Sequence, residues 1–179
     1  TQGVGCVISE RMIEKARRIN SLPGIQYIRS SVEDFHCETA FFDVVLSSLT
    51  FHYIASFGEV CDHVVRCLKP GGHFVFSVEH PVFTAEGRQD WIYDEAGRPR
   101  YWPVDRYFAE GERTAVFLGA EVKKYHRTLT TYLGELLGHG FRITDIREPM
   151  PDAGMLQNVE GMEDELRRPM MLLVSAVKE

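Results

Sequence analysis

No apolar run in the 179 residues approaches the roughly 18 needed to cross a bilayer. No leader of the charged, apolar, small pattern opens the chain. A cytoplasmic protein without a membrane partner is therefore expected. Positive charge is also scarce: 20 Lys and Arg stand against 26 Asp and Glu, a formal net charge of −6. That balance argues against a nucleic-acid partner, because phosphate neutralisation needs clustered cations. The densest basic stretch, Lys123, Lys124, His126 and Arg127, reads as a solvated face.

The four cysteines, Cys6, Cys37, Cys61 and Cys67, form no C-x-x-C pair. A chain of this length buries a core without staples, so reduced thiols are expected. The seven histidines include no i, i+4 pair and no cysteine cluster joins them, so no metal site is expected. A G-x-S-x-G elbow is absent, which removes the serine-hydrolase reading. Without internal repeats or low-complexity tracts, residues 1–179 read as a single domain.

What is present alternates. "GVGCVI" (3–8) reads as a short buried strand, and Ser9 caps a helix carrying Met12, Ile13, Ala16 and Ile19 on one face. "LPG" breaks that helix before a second strand, "IQYIR" (25–29). A polar stretch, "SSVEDFHCETA", leads into "FDVVLSSL" (42–49), an apolar run that suits a strand buried on both faces. Ser56 and Glu59 have the spacing of a capping box, and Phe57, Val60, Cys61, Val64 and Leu68 follow at helical spacing. "KPGG" turns the chain into the strand "HFVFSVE" (73–79). Strands that alternate with helices argue for parallel pairing with crossover connections.

The rhythm stops over residues 81–124, which hold Trp91, Tyr93, Tyr101, Trp102, Tyr107 and Phe108 without clean periodicity. Such length is functional or disordered in compact domains, and the aromatic content argues for order. A helix stripe resumes with Leu129, Tyr132, Leu133, Leu136 and Leu137. "FRITDIRE" (141–148) alternates as a strand, a polar helical segment follows, and "MMLLVSAVK" closes the chain as a strand.

The ordered set "VISERMIEKARR", "SSVEDF", "FDVVLSSLTFHYI" and "LKPGGHFVFSVEHP" resembles the class I S-adenosylmethionine-dependent methyltransferases, in particular their small-molecule group. The resemblance covers essentially the whole chain. It implies an α/β fold: a Rossmann-like, mostly parallel sheet with strand order 3-2-1-4-5-7-6, an aromatic-rich insertion after the fifth strand and an antiparallel ending. In that family a glycine-rich loop after the first strand holds the methionine part of the cofactor. Here "GVGCVI" matches the second strand and no such loop precedes it, so the chain is expected to be an N-terminally truncated member. Direct pairing of the strands flanking the missing one, or completion by a second copy, is expected over a gap.

By the same resemblance, Val7, Ile8 and Met12 would surround the ribose and adenine, Val32 and Glu33 would meet the adenine edge, and Ser47 and Leu49 would end the fourth strand at the cofactor. Val7 stands where the family places an acid that accepts from the ribose hydroxyls. Ser31 stands where it often has Asp. His80 and His126 are the candidate catalytic bases, with Glu79 as an alternative base or a buried structural carboxylate. The aromatic insertion is expected to lid an apolar substrate pocket. The implied function is S-adenosylmethionine-dependent methyl transfer to a small molecule, impaired in this chain by the absent loop and Val7. The alternative is a catalytically inactive binding or dimerisation module, with a homodimer as its partner state. A nicotinamide-dependent dehydrogenase fits less well, because the antiparallel ending does not suit it.

Overall fold

The structure is a computed structural model and describes residues 2–179. Strand β1 (Gly3–Val7) pairs in parallel with β2 (Ile25–Arg29), Gly3 opposite Ile25 and Val7 opposite Arg29. Helix α1 (Glu10–Ile19) crosses between them. Its cap is the predicted one: Ser9 accepts from the Met12 N–H, satisfying one of the free donors of the first turn. Gly5 is needed here, because a Cβ would meet the Tyr27 ring at 2.8 Å.

The second sheet runs β3 (Phe42–Ser48), β4 (Leu68–Glu79), β10 (Met171–Lys178) and β9 (Phe141–Arg147), in that order. The β3–β4 pair is parallel, and β10 is antiparallel to both of its neighbours. Helix α2 (Phe57–Cys67) connects β3 to β4, and α4 (Leu129–Gly138) precedes β9. Ser56 accepts from the Glu59 N–H and Thr128 from the Thr131 N–H, so both caps follow the residue types.

The period-2 pattern aims Phe74, Phe76 and Val78 of β4 and Leu172, Val174 and Ala176 of β10 into one core with Phe57, Tyr132 and Leu136 of the helices. Arg127 is buried beside that core, donating to the carbonyls of Phe51 and Ile54 and lying over the Tyr132 ring. The other face of β3 is open: Val44 is 55% and Leu46 73% exposed. "FDVVLSSL" was expected to be buried on both faces, and only one is covered.

The expected direct pairing of the strands flanking the gap does not occur. Among the described residues no hydrogen-bonded ladder joins β1–β2 to the four-stranded sheet. The linker after β2 makes the junction, with Val32 packed against the main core. Farther along it, Cys37 is disulfide-bonded to Cys67 at the end of α2, with Cα atoms 6.0 Å apart. This corrects the expectation of four reduced thiols. The Ala40 and Phe41 N–H groups donate to the carbonyls of Arg66 and Cys67, which folds the linker back along the helix end. Linear spacing does not reveal that approach. Cys6 and Cys61 are free.

The insertion is more regular than its sequence suggested. After a short turn of helix, α3 (Pro81–Thr84), come two antiparallel hairpins. They are β5 (Ile92–Tyr93) with β6 (Pro99–Tyr101), and β7 (Gly111–Phe117) with β8 (Ala120–His126). The polar segment before β10 holds α5 (Ala153–Asn158) and a 3-10 turn, Asp164–Arg167.

Candidate functional site

Ser48 and Ser77 are paired near the carboxyl ends of β3 and β4, where ligands bind in open α/β sheets. Leu49 follows with φ of 51°, a left-handed conformation that a γ-branched residue adopts at a cost. Its N–H donates to the Ser77 carbonyl and reaches the Ser77 hydroxyl at 3.1 Å, so the strained turn is held from β4. The turn leads directly into Phe51–Tyr53, which places His52 and Tyr53 at the mouth of the sheet.

The cofactor candidates fall into three places. Val7 is half-buried at the end of β1, and beside it Ile8 and Met12 expose apolar side chains, 66% and 59% accessible. Val32 and Glu33 lie on the linker, Val32 against the core and Glu33 exposed. Ser47 and Leu49 are half-buried at the end of β3. Ser31 is committed to its own turn: its hydroxyl donates to Asp34 Oδ2 at 2.7 Å and accepts from the Asp34 N–H.

Both candidate bases have other partners. His80 Nδ1 accepts from the Val82 N–H and caps α3. Its Nε2 lies 2.8 Å from Glu148 Oε1, within ion-pair distance but misaligned for a hydrogen bond. His126 ends β8 and is fully buried. The Tyr107 carbonyl can only accept, so His126 Nε2 carries the proton and Nδ1 accepts from the Thr84 hydroxyl at 2.7 Å. Burial lowers the pKa of both rings, against opposing contributions from Glu148 and from the Tyr107 carbonyl. Neither neutral ring has a lone pair free to take a proton.

Glu79 ends β4 inside a polar cluster that the sequence reading missed. Lys124 Nζ on β8 lies 2.5 Å from Glu79 Oε1 and 2.7 Å from Gln89 Oε1, while Gln89 Nε2 donates to Glu79 Oε2 at 2.6 Å. The Glu79 N–H donates to His52 Nδ1. Burial, the largest influence, pulls the His52 pKa down to about 4 despite the nearby Glu79 carboxylate, so the ring is neutral. Lys124 is 2% exposed, whereas Lys123 beside it has a 72% exposed side chain. The supposedly solvated basic face is therefore split by strand alternation: Lys124 and His126 point inward, and Arg127 follows them into the interior. That alternation was visible in "VKKYH" once the segment was read as a strand. Gln89 itself sits at φ of 58°, so the cluster holds the insertion over the end of β4 through a strained loop.

Parallel strands joined by crossover helices, with antiparallel hairpins inserted after β4, define an α/β domain of the kind that binds ligands beyond the carboxyl ends of its strands. Residues 1–76 match the family described as a methyltransferase domain. A crystal structure from Listeria monocytogenes, assigned to the S-adenosylmethionine-dependent methyltransferases, is 51% identical to this chain. The match covers 99% of this chain and 80% of that one, with a TM-score of 0.92. A Mesorhizobium loti structure described as an S-adenosylmethionine-dependent methyltransferase is 40% identical over 98% of this chain and 80% of its own, with a TM-score of 0.88. An uncharacterised Haemophilus influenzae protein is 30% identical over 183 residues, 98% of this chain and 71% of its own length. The chain belongs to the class I S-adenosylmethionine-dependent methyltransferases.

S-adenosylmethionine is the cofactor of that family, and this chain fits it in part. Ile8 and Met12 expose apolar side chains that would suit an adenosine, and Ser47 and Leu49 lie at the carboxyl end of β3. Val7 offers no acceptor to a ribose diol. Among the described residues no group of three or more His, Cys, Asp or Glu is arranged to hold a metal, and no helix is long and apolar enough to cross a membrane.

Proposed function

We propose that this domain transfers a methyl group to a small-molecule acceptor held between the carboxyl end of β4 and the insertion. When bound, S-adenosylmethionine supplies a methyl made electrophilic by the sulfonium. The chain's own residues orient the acceptor and exclude water, which is most of what such a transfer requires. The observation that carries this reading is the Glu79–Lys124–Gln89 cluster, which locks the insertion over the end of β4. A roof held so close suits a small acceptor better than a macromolecule.

We further propose that cofactor affinity is reduced at Val7, where the family's ribose-binding acid is missing. A carboxylate there would accept charge-assisted hydrogen bonds of about 1.5–3 kcal/mol each, more than tenfold in affinity per bond. The test is calorimetric titration of S-adenosylhomocysteine into the wild type and Val7→Asp. The expected result is weak wild-type binding that the substitution strengthens by more than about tenfold. Tight wild-type binding that Val7→Asp leaves unchanged would overturn the reading of Val7. No binding to either protein would count against the methyltransferase activity of this chain.

A second reading, a pairing module without catalysis, is favoured by the uncovered face of β3, with Val44 and Leu46 exposed. Sedimentation of the purified chain decides it. A concentration-independent monomer removes this alternative.

A further inference from the structure

Beyond the polar cluster, the insertion builds a second feature. A cleft of about 270 Å³ opens between the insertion and the segment leading into β10, lined by Val82, Trp91, Tyr101, Trp102, Arg167 and Arg168 among others. Met171 pairs with Glu79 and the His80 N–H donates to the Met170 carbonyl, so this cleft lies just past the carboxyl end of β4. A larger depression, about 560 Å³ along α1 and β2 and including Arg17 and Tyr27, has no such relation to β4.

The cleft has aromatic walls. Phe83 stacks on Trp102 with centroids 4.8 Å apart and planes within 13°, and Trp91 meets Trp102 edge-on at 5.3 Å. The Trp102 indole N–H donates to the Val82 carbonyl, which fixes its plane. The Arg168 guanidinium lies 4.1 Å from the Trp102 centroid and 4.6 Å from that of Phe83. Its two terminal nitrogens form a fork on Glu165, at 2.7 and 3.0 Å. The third donor, Nε–H, is buried and has no partner, on a side chain only 8% exposed. Arg167 contributes no free fork, since it is held by Asp164 and by the Pro99 and Arg100 carbonyls.

A buried cationic donor without an acceptor is rare in folded proteins, and it marks a place where something else supplies the oxygen. Flat indole walls select a planar ring, and a charge-assisted bond to Nε–H favours an anionic oxygen over a neutral one. We infer that this cleft binds a small aromatic carboxylate, the ring against Trp91 and Trp102 and a carboxylate oxygen on Arg168 Nε. Resting on the methyltransferase reading, this assigns the acceptor to the aromatic acids.

Trp91 and Trp102 are the only tryptophans in the chain, so indole fluorescence reports this cleft alone. Wild-type protein is titrated with benzoate, benzyl alcohol and cyclohexanecarboxylate. The expected result is saturable quenching by benzoate, with affinity about tenfold above either comparison compound, the factor of one charge-assisted hydrogen bond or one lost stacking partner. Arg168→Lys keeps the charge but removes Nε, and should level benzoate with benzyl alcohol. If that variant misfolds by circular dichroism, the wild-type ranking decides the matter unaided. Equal quenching by all three probes, or none at millimolar concentration, overturns the proposal. S-adenosylhomocysteine binding without benzoate binding removes only this cleft. Benzoate binding without S-adenosylhomocysteine binding leaves the cleft and removes methyl transfer.

Discussion

Replacing Lys124 by Met tests whether the insertion is held by the buried ion pair. The wild-type ammonium is 2% exposed and 2.5 Å from Glu79 Oε1, and the Glu79 side chain is 13% exposed. Lys124→Met leaves the carboxylate in nearly the same burial with the Gln89 amide and the neutral His52 ring beside it and no cation. Removing one member of such a pair costs about 3–5 kcal/mol, because the remaining charge stays desolvated. For a domain of this size each kcal/mol moves Tm by about 2–4 °C, so a fall of roughly 6–20 °C is expected. Glu79→Met combined with Lys124→Met removes both charges and should recover most of that loss. Thermal and urea unfolding of the wild type, both single variants and the double variant give the coupling directly. A Lys124→Met cost below about 1 kcal/mol, the range of exposed pairs, would refute the argument. So would a double variant that loses the sum of the single losses.

Two further outcomes follow from buried groups. The Cys37–Cys67 disulfide joins residues 30 apart, and the chain-entropy relation gives about 3–4 kcal/mol for a loop of that length. Dithiothreitol, or Cys37→Ser, should lower urea stability by a comparable amount, and an unchanged midpoint would mean that the bridge constrains nothing. Acid stability is set in part by His52, whose pKa lies near 4 in the fold against about 6.5 unfolded. Between those values the unfolded chain binds the extra proton. The stability from the neutral ring is thus complete above about pH 6.5 and is lost as pH falls toward 4. His80 and His126, also lowered, act in the same direction. The His52 contribution to the slope approaches about 1.4 kcal/mol per pH unit, and His52→Gln should flatten it by one proton. A wild-type stability constant from pH 7 to pH 4.5 would contradict the buried neutral state.

Much of the scaffold was legible because its causes are local. Ser9, Ser56 and Thr128 cap helices where the residue types say they can. "HFVFSVE" and "MMLLVSAVK" alternate because one sheet face is covered by α2 and α4. The β7–β8 hairpin was missed, since its inward positions hold Arg113, Lys124 and His126 beside a single small apolar residue, Ala115, and a largely polar inner face erases the hydrophobic period.

The site divided along the same line. The amino-acid order alone determined the succession of elements outside the insertion, the family they belong to and the valine at the end of β1. Only the tertiary structure decided what the polar residues do. It paired Lys124 with Glu79 across 45 positions, closed Cys37 on Cys67 and filled both nitrogens of His126. It also left Arg168 Nε without an acceptor beside two indole rings. The reason is physical: a helix cap or a strand period is settled within a few residues, whereas the protonation and partners of a buried charge depend on which distant segments exclude water from it.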